Sequence, residues 1–189
     1  MHAIYHTSAV IIKSQPYREA DKLYWVFTED FGLVHAVATG VRKADAKLKG
    51  QLVDYAFVDV DLVKGRDVWR LVSATIVETP LATMPSALAR PYVRLLSTIE
   101  RFLVDEGAHP EVFGEVRTAA RAARDGVDPK AFDVLSIWRV LVALGYIAVA
   151  PDEAPLANYV FPEALSVLSE AMIKRLVRVV NHTITQTHL

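Results

Sequence analysis

Cysteine is absent from the 189 residues. Its absence excludes disulfides, thiol redox chemistry and any thiolate zinc site, and it suits a reducing compartment. Net charge is nearly absent too, at −1. No global field therefore attracts polyanions, and any such contact must come from local patches. Long apolar runs are missing. The longest, Val140 to Ala150, contains Gly145 and falls short of the roughly 20 residues that a membrane-spanning helix needs. The opening Met-His-Ala-Ile-Tyr-His lacks the charged and then apolar pattern of a signal peptide. Together these absences predict a cytoplasmic protein without membrane contact. There is no Gly-x-Ser-x-Gly elbow, no P-loop and no Gly-x-Gly-x-x-Gly, and the histidines at 2, 6, 35, 109, 182 and 188 are scattered. No catalytic residue, metal or cofactor is expected, and an enzyme is not expected.

What is present is apolar material in two periods. Hydrophobic residues make up 52% of the chain, enough for a sizeable core. Up to about Glu78 the pattern alternates with period two. Ala9–Lys13, Leu23–Thr28, Leu33–Thr39, Tyr55–Val63 and Trp69–Val77 read as strands. In the fourth, Ala56, Val58, Val60 and Leu62 face one way while Asp59 and Asp61 face the other. Lys64-Gly65-Arg66-Asp67 reads as a hairpin turn. Five strands, with a longer and partly helical connection between the third and fourth, suggest a small barrel of the oligonucleotide-binding type. After Pro80 the period becomes helical. Leu95, Leu96, Ile99, Phe102 and Leu103 form one apolar stripe, and Val112, Phe113, Val116 and Ala120 a second. Phe132, Leu135, Trp138, Leu141 and Val142 form a third, behind the N-cap Asp128 and Pro129. Tyr146–Pro162 reads as irregular. A last helix ends near Thr187, with Leu168, Met172, Leu176, Val179 and Val180 inward. The class is therefore α+β, with a five-stranded barrel over residues 1–80 and an all-α domain over 81–189.

The most concentrated charge lies in Gly40–Gly50, where Arg42, Lys43, Lys47 and Lys49 are opposed by Asp45 alone. Such a cluster grips phosphates or merely solvates a loop. Lys13, Arg18 and Lys22 border the first inter-strand loop, where Glu19 and Asp21 offer structural ion pairs as readily as the cations offer phosphate contacts. Lys64, Arg66 and Arg70 read as solvated turn charges. Bases stack on exposed rings; Tyr17, between Pro16 and Arg18, is the first choice, followed by Tyr24, Tyr55 and Phe57. Trp25 and Trp69 read as core. In the helical part Arg139, Arg175 and Arg178 could rim a site for an acidic peptide.

Several of these segments resemble one family in order and spacing. Val10–Leu23, Phe27–Leu33, Gly40–Lys43 with Leu48–Gly50, and Lys64–Arg66 before Trp69–Leu71 are similar to the opening of the bacterial recombination mediator RecO. Leu144-Gly145-Tyr146 continues the likeness. The resemblance implies an oligonucleotide-binding barrel, then a helical domain, and a non-enzymatic role in DNA repair by the RecF pathway, at the nucleoid. It implies binding of single- and double-stranded DNA, annealing of complementary strands, contact with the acidic tail of single-strand-binding protein, and work with RecR to load RecA. Many members carry a four-cysteine zinc knot after the Leu-Gly-Tyr segment. Ala148–Val160 stands there in this chain, so the zinc-free form is implied. The alternative is a protein–protein adaptor that binds an acidic peptide, with DNA contact incidental.

Overall fold

The computed structural model describes residues 3–103 and 106–187, so His2 and His188 lie outside the described residues. Two compact units divide the chain: Met1–Ala82 with Val104–Pro110, and Thr83–Leu103 with Glu111–Leu189.

The first unit holds five strands: β1 (Ile4–Pro16), β2 (Lys22–Thr28), β3 (Gly32–Ala38), β4 (Phe57–Val63) and β5 (Trp69–Glu78). They close into a barrel in the order β1-β2-β3-β5-β4. The first strand is much longer than the run Ala9–Lys13 suggests, because it serves two neighbours. Its first half pairs with β4 and its second with β2, and a register shift between Ile11 and Lys13 lets it bend from one to the other. Alternation selects the interior. Ala9, Ile11, Tyr24, Val26, Val34, Ala36, Val58, Val60, Leu62, Trp69 and Leu71 fill the barrel. As the alternation of β4 predicts, Asp59 and Asp61 point outward, where Ser8 Oγ donates to Asp59 Oδ1 at 2.9 Å and His6 Nδ1 meets Asp61 Oδ1 at 2.8 Å.

The connection from β3 to β4 contains no helix. It is a run of turns held by three-residue bonds such as Lys43 N to Gly40 O and Ala46 N to Lys43 O. Val41 and Leu52 are buried in the barrel core and pin the two ends, and of the charged middle Leu48 alone packs against that core, too little apolar surface to hold a helix.

The second unit is built around α4 (Pro129–Ala143), which is buried along nearly its whole length and packs against α2 (Ser86–Phe102) and α7 (Glu170–Gln186). Asp128 Oδ1 caps α4 by accepting from Ala131 N at 2.7 Å, with Pro129 at the first position. The inward stripes of α2 and of α3 (Pro110–Arg124) are buried as their spacing predicts. A single turn, α1 (Pro80–Thr83), precedes them. Tyr146–Pro162 is more ordered than expected. A 3₁₀ turn (Pro151–Glu153), α5 (Ala154–Asn158) and α6 (Phe161–Ser166) lie in and just beyond it. Each proline there sits in a first turn, where its missing N–H costs no bond. On α7 only Leu176 and Val180 are fully buried and Met172 and Val179 are half-buried; Leu168, expected on this helix, lies before its Ser169 cap and is also half-buried. Among the described residues no helix is long and apolar enough to cross a membrane, and no group of His, Asp and Glu converges as a metal site.

Two of the cations expected to rim a peptide site are engaged inside this unit. Arg139 is buried. Its Nη2 donates to Glu115 Oε1 at 2.6 Å and its Nη1 to the Tyr159 carbonyl at 2.8 Å. Arg175 forks onto Asp152 at 2.7 and 2.9 Å and onto Glu153 Oε1 at 2.7 Å, tying α7 to the 3₁₀ turn. The sequence shows the arginines but not these acids, which lie 22 to 24 residues away. Arg178 remains exposed, with Nε on the Lys174 carbonyl of its own helix. Arg101, too, is engaged inside this unit, at the end of α7, on the carbonyls of Ile184 and Thr187.

Replacing Arg139 by Met leaves Glu115 without its cation. Breaking a buried pair from one side lowers the unfolding free energy by about 3 kcal/mol, readable in a urea titration. The Asp61 carboxylate holds the His6 imidazole above its ordinary 6.5. Because the shift is upward in the folded state, its stabilising effect is present below pH 6.5 and disappears as pH rises through the folded value. An NMR titration should place His6 above 6.5, and Asp61→Asn should bring it back down.

Candidate nucleic-acid interface

The barrel closes between β3 and β5 through a parallel contact of two residue pairs, Ala36↔Trp69 and Val37↔Arg70. Beyond it the strands separate, and a groove of about 390 Å³ opens. Tyr17 and Arg18 enter it from the β1–β2 loop, Val37 and Thr39 from the end of β3, and Lys64, Val68 and Arg70 from the β4–β5 connection and the start of β5. In barrels of this type these two loops are where ligands bind.

Tyr17 is 45% exposed, and the Arg18 guanidinium carbon lies 5.2 Å from its ring centre. A planar cation beside an exposed ring suits a base and its phosphate. Arg70 is exposed on the outer face beside Val37. Lys64 Nζ lies 5.2 Å from the ring centre of Trp69 and 3.2 Å from Glu106 Oε2. Lys64 and Arg70 are thus more than solvated turn charges: closure of the barrel carries them to the wall opposite Tyr17. Sequence spacing could not show this, since more than 40 positions separate the two loops. Arg66 stays exposed in the turn.

The basic loop is fastened to the same rim. Gly40, at φ +69°, donates its N–H to Asp21 Oδ1 at 2.8 Å. Arg42 N–H reaches the Ala20 carbonyl at 3.0 Å, and its Nη1 reaches the carbonyls of Arg18 and Glu19 at 3.2 and 2.9 Å. Asp21 therefore anchors backbone, and Arg42 and Lys43 stand beside Glu19 and Ala20. Arg42, Lys43, Lys47 and Lys49 are all exposed. Lys22 Nζ rests 3.4 Å from Ser14 Oγ at the start of β2.

The other aromatic expectations divide. Tyr24 fills the barrel interior, where burial, reinforced by Asp54, pushes its hydroxyl up to about 12. Phe57 is buried and Tyr55 half-buried. Trp69 lies in the core, as expected. Trp25 does not. It is half-buried on the outer face of β2, between Lys13 on β1 and His35 on β3. The alternation Tyr24-Trp25-Val26 carried this information, but an indole on a strand reads as core by composition.

Replacing Asp21 by Ala leaves the Gly40 N–H without its acceptor. A loss of about 1–2 kcal/mol follows, with faster amide exchange at Gly40 and Arg42.

A family profile described as Recombination protein O N terminal matches residues 1–80. The DNA repair protein RecO of Clostridium perfringens is 33% identical over 119 residues, which cover 61% of this chain and 48% of that protein. The DNA repair protein RecO of Clostridium novyi is 34% identical over 77 residues, covering 41% of this chain and 30% of that protein. The chain thus spans about half, or less, of the length of these curated relatives. The closed five-stranded barrel and the match over residues 1–80 agree: this first domain is similar to the N-terminal domain of RecO proteins.

Proposed function

We propose that this protein is a DNA-binding mediator of recombinational repair that holds single- and double-stranded DNA and anneals complementary strands. The observation that carries the reading is the groove at the barrel rim, where Arg18, Lys64 and Arg70 surround Tyr17 and Val37 beside the Gly40–Gly50 loop. Cations there hold phosphates, and Tyr17 stacks a base. Screening the backbone charge of two complementary strands lowers their repulsion, so annealing needs no general acid, base or nucleophile. Non-enzymatic work with RecR, on strands coated with single-strand-binding protein and toward the loading of RecA, is the part of the reading that rests on family resemblance.

For the acidic tail of single-strand-binding protein we read a position different from the one the sequence suggests. Arg139 and Arg175 are engaged internally. An apolar slot of about 210 Å³ lies between Val134 and Ile137 of α4 and Val177 and Val180 of α7, with the ion pair of Arg94 and Asp133 at its edge. The apolar floor suits an apolar side chain of a peptide whose carboxylate would have to displace Asp133 from Arg94. This slot is also what favours the second reading, a protein–protein adaptor in which DNA contact is incidental.

The two readings part under salt. The logarithm of the binding constant falls with the logarithm of salt concentration by about 0.7 per single-strand phosphate contact. Changing Arg18, Lys43 and Arg70 together to Gln should flatten the slope by roughly 2, and changing Lys47 and Lys49 by roughly 1.4. Unchanged slopes in both variants would remove these side chains from the interface. Binding of an acidic peptide without any binding of an oligonucleotide would establish the adaptor.

A further inference from the structure

We propose that Trp25 is a stacking platform for an unpaired nucleobase, framed by Lys13 and His35 on the outer face of β1, β2 and β3. The inference rests on the nucleic-acid reading above and adds a second contact point outside the groove. Lys13 stands opposite Trp25, and Trp25 opposite His35, across three adjacent strands. Lys13 Nζ lies 4.3 Å from the centre of the indole, and the His35 ring meets the indole edge-on at 5.2 Å and 85°. Tyr24 and Val26, on either side of Trp25, fill the barrel, so the indole points away from it.

The arrangement matches what one nucleotide of a single strand requires. The edge contact with His35 fixes the plane of the indole. One ring face is covered by an ammonium on a flexible stem, a cover that a ligand can displace. A base takes over that face, and Lys13 turns to the phosphate of the same nucleotide, so the cation meets an anion while the ring meets a π-stacked base. A paired base is already stacked on its neighbours within the duplex and cannot take this position without unpairing. The platform therefore selects single strands.

The path from platform to groove is short. Val37, which lines the groove, follows His35 by two residues on the same face of β3, a step of about 6.6 Å along the strand. Val37 is paired in turn with Arg70. A strand whose phosphates lie on Arg70 and Arg18 thus has a base within reach of Trp25.

The chain supplies its own probe. It has three tryptophans; Trp138 is 0% exposed and Trp69 lines the groove, so the part of the emission change that disappears in Trp25→Phe reports Trp25. The experiment titrates the full chain with a fluorescein-labelled oligothymidine, with an abasic strand of equal length, and with a duplex, following anisotropy and tryptophan emission together. Oligothymidine should quench emission as it binds, and the abasic strand should bind with little quenching. Trp25→Ala should weaken single-strand binding roughly tenfold and duplex binding less than twofold, within the range for loss of one base–aromatic stack. Trp25→Phe should recover most of the affinity. Oligothymidine binding without quenching, or an equal loss on single strand and duplex, overturns the platform and leaves DNA binding standing. No binding of either strand form by the unsubstituted protein overturns both. If Trp25→Ala does not fold, Trp25→Phe decides: it should bind oligothymidine with most of the quenching lost, and unchanged quenching overturns the platform.

Discussion

The short parallel contact between β3 and β5 is the constraint on which the functional end of this molecule depends. A five-stranded barrel closed in this order must join one pair of strands in parallel. Here the join is two residue pairs long. Because β3 ends at Ala38 and β5 begins at Trp69, the strands overlap only briefly. Trp69 fills the interior at the seam and Arg70 turns outward beside Val37. Past the seam, backbone gives way to the groove, and the loops that flank it come from distant parts of the chain. A longer seam would place ladder hydrogen bonds where Tyr17, Arg18 and Lys64 now face open space.

A groove made by loops needs the loops held. Asp21 is buried, and its acceptor oxygen is engaged by the Gly40 N–H, which joins the start of the basic loop to the end of the β1–β2 loop. Arg42 adds a second tie through the carbonyls of Arg18 and Glu19. The charged run from Arg42 to Lys49 packs Leu48 against the core, and Val41 and Leu52 anchor its ends there. Its cations are therefore displayed from a fixed base rather than from a free coil, which reduces the ordering cost of meeting a phosphate backbone.

What could be read from the sequence follows from how local each determinant is. The alternation in Val58, Val60 and Leu62 against Asp59 and Asp61 is a property of consecutive residues, and the strand has the predicted faces. The cap Asp128–Pro129 is equally local. The length of β1 was hidden because two different partners complete it, one on each half. The roles of Arg139, Arg175 and Arg101 were hidden because their acceptors come from other helices. Residue type alone points Trp25 inward, whereas its neighbours Tyr24 and Val26 assign it to the opposite face. The convergence of Tyr17 with Arg70 exists only once the barrel closes.

These long-range pairings also decide where affinity for a polyanion can reside. With a formal charge of −1, attraction must be local, and a cation attracts phosphate strongly only when no carboxylate neutralises it. In the helical unit Arg94 faces Asp133, Arg139 faces Glu115, and Arg175 faces both Asp152 and Glu153. Each of these arginines holds secondary structure together and carries a counter-charge with it. At the barrel rim Lys64 faces Glu106, but the ties of Arg42 are to carbonyl oxygens, which orient the guanidinium without cancelling its charge. Asp21, the buried acid nearest the rim, is engaged by a backbone N–H. Arg94, Arg139 and Arg175 thus tie structure together with their charge neutralised, whereas Arg42 presents its charge, and the difference lies in whether the acceptor is an acid or a peptide carbonyl.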